Sequence, residues 1–241
     1  MGVHDVKNAD RVLEVKNLRV SFRGISGKVQ AVRGVDFELN RGETVAIVGE
    51  SGSGKSVTIK TIMGILAKNA MIEEGHILYD GKDLTAISEK EFEEIRGKRI
   101  GLIFQDPLSS LNPLMKVGRQ IAEVYTENLH ISYKEAKART LKLMEDVGIP
   151  TPEIRYNQYP FQFSGGMRQR IVIAIALANN PDILICDEPT TALDVTVQAR
   201  ILQLIKKIKE ERNISVIFIT HDLGVVANIA DRVYVMYAGK V

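Results

Sequence analysis

The sequence predicts an α/β fold, a mainly parallel sheet with an antiparallel β flank and an inserted α-helical subdomain. Three observations carry that expectation. Short apolar runs alternate with stretches of helical spacing, as parallel strands covered on both faces do. The first forty residues alternate with period two instead, and the block from about residue 106 to 180 reads mostly as helices.

Each element can be justified in turn. Leu18, Val20 and Phe22 alternate, and after a glycine-containing loop Val35, Phe37 and Leu39 do the same. "TVAIVG" is a buried-type strand that runs into "GESGSGKS", and "KSVTIKTIMGIL" then places Ile59, Ile62, Met63 and Leu66 at helical spacing. "GHILYDGKDL" reads as a hairpin turning at Asp80-Gly81. "RIGLIF" is a strand ending at Gln105. Within the helical block, "VGRQIAEVYTENL" lines up Val117, Ile121, Val124 and Tyr125, and "LKLMEDVG" closes a second helix at Gly148. "TPEIRYNQYPFQF" reads as a loop. Three further strands are "DILICDE", "ISVIFITHD" and "RVYVMYAG". A helix carrying Ile201, Leu204, Ile205 and Ile208 on one face joins the first two. Ligands of such sheets gather at the carboxyl ends of strands, where Gly49, Gln105, Asp187 and His221 all fall.

Composition excludes several classes of function. With 45% hydrophobic and 26% charged residues the chain reads as soluble and globular, and its net charge of +2 gives no field suited to nucleic acid or an anionic membrane. Its apolar runs fall short of the roughly 18 residues of a membrane span, and "MGVHDVKNADRVLEV" has no signal-peptide core, so a cytosolic address is expected. Cys186, the one cysteine, cannot form an internal disulfide and sits in the apolar run "ILIC" as a small buried hydrophobe. His4, His76 and His130 have no motif around them and are expected at the surface.

The chemistry lies in a few short stretches. "GESGSGKS" has the G-x-x-x-x-G-K-[ST] spacing of a phosphate loop, between a strand and a helix, which marks a P-loop nucleoside-triphosphatase core. Gly49, Glu50, Ser51, Gly52, Ser53 and Gly54 turn backbone N–H groups inward, and the start of the helix, through Val57, adds partial positive charge. Lys55 should reach the β- and γ-phosphates, and the Ser56 hydroxyl should hold Mg²⁺. The alternative is a glycine-rich turn without a ligand.

"ILICDEP" ends a strand on two carboxylates that point opposite ways: Asp187 to position Mg²⁺, Glu188 to orient and polarise an attacking water. A solvated acidic turn is the plainer reading. His221, at a strand end beside Asp222, could merely cap a loop or could hydrogen-bond a γ-phosphate. In "FSGGMRQR", Ser164, Gly165 and Gly166 precede a helix, either as a helix cap or as a second anion site for nucleotide held by another subunit.

Taken together and in order, these motifs resemble the nucleotide-binding subunit of ATP-binding cassette transporters along essentially the whole chain. They are Walker A "GESGSGKS", Q-loop "FQDP", signature "FSGGMRQR", Walker B "ILICDEP", D-loop "TALD" and switch histidine "THD". The wording of "FQDPLSSLNPLMKVGRQI" and "QYPFQFSGGMRQR" is similar to the peptide and nickel importer branch.

The resemblance implies ATP and Mg²⁺ as cofactors and a head-to-tail dimer with an identical or homologous ATPase subunit. Phe163, Ser164, Gly165 and Gly166 of one copy would then complete the site begun by Lys55 of the other, with Asp194 at the interface. It also implies Gln105 beside Ser56 at the metal and Phe22 stacked on adenine. Further partners implied are two transmembrane permeases, docking within residues 106–130, and an extracytoplasmic solute-binding protein, with the chain peripheral at the cytoplasmic face of the cell membrane. The activity implied is ATP hydrolysis coupled to uptake of di- or oligopeptides, or of a nickel-type substrate.

The sequence departs from the family pattern at Phe163, Met167 and Phe22, and it stops at "YAGKV", where members of the branch usually run on into a C-terminal extension. Two other readings compete. A soluble mechanochemical cassette ATPase of DNA repair or translation would carry long coiled coils or a second cassette. A small-molecule P-loop kinase would not need "FSGGMRQR".

Overall fold

The computed structural model of the chain describes residues 10–24, 27–191 and 193–241. The expected surface position of His4 therefore lies outside the described residues. In chain order the elements begin with β1 (Arg11–Gly24), β2 (Gly27–Asn40), β3 (Thr44–Val48), α1 (Lys55–Ile62), β4 (Ala70–Tyr79), β5 (Lys82–Asp83) and α2 (Glu89–Glu93). Next come β6 (Ile100–Ile103), α3 (Pro107–Ser110), α4 (Val117–Leu129), α5 (Tyr133–Asp146), α6 (Pro152–Arg155) and α7 (Gly165–Leu177). The last are β7 (Ile183–Asp187), α8 (Val195–Arg212), β8 (Ser215–Thr220), α9 (Leu223–Ile229) and β9 (Arg232–Val235). Two compact units emerge: residues up to Arg96 together with Asn213–Val241, and Gly97–Arg212.

The first unit holds both kinds of pairing expected from the sequence. Its antiparallel sheet runs β2-β1-β4-β5, and the β4–β5 hairpin turns at Asp80 and Gly81, with φ of 47° and 78°, as the Asp-Gly signal requires. In the parallel group β3 pairs with β8 on one side and β9 on the other. Every residue of β3 and β8 is buried, which is why these strands read as unbroken apolar runs rather than alternations. Val226 and Ala230, at α9, pack on Ala46 and Val48 of β3.

α1 leaves β3 through the glycine-rich loop and is shorter than its apolar spacing suggests. Its C-cap is Met63 and Gly64 follows at φ 63°, so Leu66 lies beyond the helix. Arg96 accounts for that stop. Its guanidinium donates to the carbonyls of Met63 and Gly64 at 3.0 and 3.2 Å while lying over the Phe92 ring, so the terminal carbonyls of α1 find a cation.

In the second unit β6 pairs in parallel with β7. α7 is buried along Ile171, Val172, Ile173, Ala174, Ala176 and Leu177, and α8 buries Ile201, Leu204, Ile205 and Ile208, the four positions that its spacing selects. α5 starts at Ser132, whose hydroxyl accepts the Glu135 N–H at 3.3 Å, and ends at Gly148 with φ 76°. "TPEIRYNQYPFQF" is not wholly a loop, because proline at the first helical position starts α6 and again the 3₁₀ turn Pro160–Gln162. β6 stops at Ile103, so Gln105 stands beyond the strand rather than at its last residue.

Ile205 is 1% exposed beneath α8. Replacing it with alanine is expected to cost about 3 kcal/mol through lost burial and the cavity left behind. Urea titration of both proteins checks this, with a lower midpoint and an unchanged slope expected.

Candidate functional site

The glycine-rich loop between β3 and α1 is built around one cation. Lys55 opens α1 with only 6% of its surface exposed. Its ammonium donates to the carbonyls of Gly49 at 2.7 Å and Glu50 at 2.8 Å, and reaches Ser53 Oγ at 3.4 Å. A buried ammonium must be hydrogen-bonded, and the loop's own carbonyls provide that. Gly54 makes the bend possible: its φ is 103°, and a Cβ there would stand 2.6 Å from the Ala31 carbonyl oxygen.

No side chain caps α1 and no acidic residue lies in its first turn. The positive end of its dipole favours an anion at this end of the helix. Glu50, Ser51, Gly52 and Ser56 are exposed and Val57 is half-buried. At the far end of β1, Phe22 is half-buried, level with Val29 and Ala70 on the flanking strands.

His221 follows β8 and is exposed. The turn that carries it is fixed by its neighbour. The Asp222 carboxylate accepts the N–H groups of Gly224 and Val225 at 2.8 and 3.3 Å, and the Asp222 N–H donates to Thr220 Oγ1 at 3.0 Å.

In the second unit β7 ends on Asp187, and Glu188 follows in the left-handed region with φ 47°. A non-glycine residue held there stores on the order of 1–3 kcal/mol, which the surroundings must over-determine. Here Glu188 O accepts the Thr191 N–H at 3.4 Å and the Thr191 hydroxyl at 3.3 Å. Glu188 Oε2 also accepts that hydroxyl at 3.1 Å and Gln105 Nε2 at 3.1 Å. Gln105 and Glu188 are therefore in direct contact. Cys186, fully buried just before them, has its thiol pKa pushed up by burial, which keeps it an inert hydrophobe.

Ser164 occupies the N-cap position of α7 in extended conformation, but its hydroxyl makes no capping hydrogen bond. The helix-cap reading of that hydroxyl is thereby set aside. Ser164 and Gly165 are exposed. Gly166 is needed for packing, since a Cβ there would meet Val197 Cγ1 at 2.5 Å. Phe163 differs from the expectation that it lies against nucleotide: its ring is 3% exposed beneath the Arg155 guanidinium, 5.5 Å from the centroid. It is a packing residue, because burial in its own subunit leaves no ring face for a ligand. Arg168 Nε, donating to the Pro160 carbonyl at 2.8 Å, ties the signature turn to the segment before it.

Asp194 is exposed, and its Oδ1 accepts the Val197 N–H at 2.9 Å, the geometry of a helix N-cap for α8. Ala192, in the same D-loop, lies outside the described residues. Thr191 and Arg168 were not singled out by sequence reasoning. A threonine three residues beyond a left-handed acidic residue and an arginine behind a Pro-Phe pair are weak signals without coordinates. Among the described residues no group of three or more His, Cys, Asp or Glu side chains is placed to hold a metal ion, and no helix is long and apolar enough to cross a membrane.

Asp194→Ala removes the cap of α8 and is expected to lower stability by about 1 kcal/mol. Thermal unfolding of the isolated chain reads this loss, which an aspartate acting only between subunits would not produce.

Comparison with known proteins places these features in a family. The ABC transporter family profile matches residues 32–191. The chain is 61% identical over 232 residues to the oligopeptide transport ATP-binding protein OppD of Bacillus subtilis (strain 168), covering 96% of this chain and 65% of that protein. It is 57% identical over 233 residues to the dipeptide transport ATP-binding protein DppD of Lactococcus lactis subsp. cremoris (strain MG1363), covering 96% and 67%. The chain thus spans about two thirds of the length of these relatives. Among solved structures, the ATP-binding cassette MJ0796, in a dimeric post-hydrolysis state bound to ADP and Pi, superposes with a TM-score of 0.84. Identity there is 31%, over 95% of this chain and 96% of that one. The family profile and these relatives show that the chain belongs to the ABC transporter family.

Proposed function

We propose that this chain is the ATP-hydrolysing subunit of an importer that takes up di- or oligopeptides, or a nickel-type substrate, across the cell membrane. The observation that carries the hydrolytic part is the Glu188 carboxylate, held by two donors, Gln105 and Thr191, at the end of β7. A carboxylate fixed in this way can orient a water and take up its proton as the water attacks the γ-phosphorus. The products are ADP and inorganic phosphate.

The other roles follow from the chemistry of each group. Phe22 offers an aromatic face to adenine. The loop Gly49, Glu50, Ser51, Gly52, Ser53, Gly54 and the first turn through Val57 offer backbone N–H groups to the phosphates, and Lys55 exchanges its loop carbonyls for β- and γ-phosphate oxygens. His221 donates to the γ-phosphate and stabilises the charge that builds up during transfer. Mg²⁺ would neutralise the phosphate oxygens, and Ser56, Gln105 and Asp187 supply hard oxygen donors that suit it.

The reading extends to assembly. Ser164, Gly165 and Gly166 of a second ATPase subunit, with Asp194 nearby, close a head-to-tail dimer over the nucleotide. The helical subdomain of residues 106–180, inserted in the α/β core, receives two permease subunits within residues 106–130. That placement draws support from Leu108 and Leu114, exposed by 57% and 87%, and from a cavity of about 480 Å³ lined by Phe104, Ser109, Ser110, Val172 and Ile175. The chain is then peripheral on the cytoplasmic face, and a solute-binding protein acts through the permeases. The peptide assignment rests on the names of the relatives.

Glu188→Gln is expected to cut ATP turnover by about 10³-fold while nucleotide binding persists. Phosphate release and equilibrium ATP binding, measured on the same preparation, check it, and normal turnover removes Glu188 from its role. Lys55→Ala is expected to weaken ATP binding itself by about a hundredfold, the order of two charge-assisted hydrogen bonds, as read by titration calorimetry.

A further inference from the structure

A tight turn follows β9. Residues Met236 to Lys240 lie against the glycine-rich loop. The Met236 N–H donates to the Val48 carbonyl at 2.7 Å, and the Met236 carbonyl oxygen stands 2.0 Å from where a Cβ on Gly49 would be. Tyr237 and Lys240 then pair in both directions, at 2.8 and 2.9 Å. This closes a tight turn whose corners, Ala238 and Gly239, have φ of 45° and 78°. From that turn the Gly239 N–H donates to the Ser53 carbonyl at 3.0 Å, while the Gly239 carbonyl accepts the Arg33 N–H of β2 at 2.7 Å.

Ser53 is the link to chemistry. Its carbonyl is held by Gly239 and its hydroxyl lies 3.4 Å from the Lys55 ammonium. The crest of the loop is thus fastened through Gly239 to β2, and it is the crest that sets where Lys55 and the loop N–H groups point. We infer that the Met236–Lys240 turn is a strap that preorganises the phosphate loop, with Gly239 as its positioning residue. Gly239 touches no nucleotide and acts only through Ser53. The inference rests on the proposal that this loop binds ATP phosphates.

Only glycine serves at the corner. A Cβ on Gly239 would stand 2.8 Å from the Ala31 carbonyl oxygen and 3.0 Å from Arg33 Cγ, at a φ that side chains rarely adopt. Ala31 O is backbone and cannot move aside as a long side chain would, so a substitution displaces the strap. The consequence for binding is an entropic one. An unfastened loop must be ordered when phosphate arrives, which weakens affinity without altering any group that touches the phosphate.

The test compares steady-state ATP turnover in wild type and Gly239→Ala, and measures amide hydrogen exchange in wild type. Gly239→Ala is expected to raise the KM for MgATP about tenfold, a coupling of ordinary size, while kcat stays within about twofold. A fall in kcat with unchanged KM would mean only that less protein is correctly folded, and would overturn the inference. By reciprocity, MgATP is expected to slow exchange of the Gly239 amide in wild type about tenfold. An exchange rate indifferent to MgATP overturns the inference even if the variant does not fold. Should Lys55→Ala bind ATP as wild type does, the phosphate-site reading itself fails. Should Lys55→Ala lose ATP while Gly239→Ala keeps its KM, the strap alone fails.

Discussion

A single buried ammonium constrains this structure more than any other group. Lys55 is nearly shielded from water, and the cost of burying its charge is met by the carbonyls of Gly49 and Glu50 in the loop it belongs to. Those carbonyls can turn inward only because the loop closes through glycines, and the loop keeps that shape only if both its ends are fixed. β3 fixes one end, locked between β8 and β9. α1 fixes the other, its first turn uncapped and its last carbonyls held by Arg96. The buried charge costs little to hold because the ammonium already has its partners. In the proposed function phosphate oxygens, which carry charge where the carbonyls do not, replace them as partners of that ammonium.

The second unit is organised around a charge of opposite sign. Glu188 is placed by an unfavourable backbone conformation that its own side chain and Thr191 stabilise, and Gln105 reaches it from beyond β6. A side chain fixed by strain and by two donors has little freedom to lose when a reaction begins, and electrostatic catalysis needs that economy. The Gln105–Glu188 contact also means that whatever draws Gln105 away, a metal or a shift of the segment after it, changes the environment of the glutamate. In the transporter reading this is a short route by which the helical segment and the hydrolytic group sense one another.

Much of this was legible in the sequence, and the exceptions have physical causes. Runs such as "TVAIV" and "SVIFIT" announce strands buried on both faces, and Ile201, Leu204, Ile205 and Ile208 announce the buried side of α8, because burial alone sets those patterns. The glycine-rich turn between β3 and α1 was legible because strand, loop and helix follow one another at a fixed spacing. Contacts made between distant segments were not. Nothing local shows that Gln105 binds Glu188, that Arg155 covers Phe163, or that "YAGK" is a strap on the loop formed by residues 49–56. The end of α1 was misplaced because Leu66 fits the helical period while Gly64 and Arg96 end the helix sooner. The D-loop aspartate shows a further limit. The proposed dimer puts it at an interface, yet within its own chain it caps a helix, and one carboxylate can serve both.

The central claim is that a preformed loop around Lys55 recognises the triphosphate, and that the base contributes less. Titration calorimetry of the wild-type chain with MgATP, and separately with AMP, tests this most directly. The account predicts that MgATP binds roughly a hundredfold or more tightly than AMP, since the added phosphates engage Lys55 and the loop N–H groups through charge-assisted bonds. Equal affinity for the two nucleotides would place recognition elsewhere and contradict it.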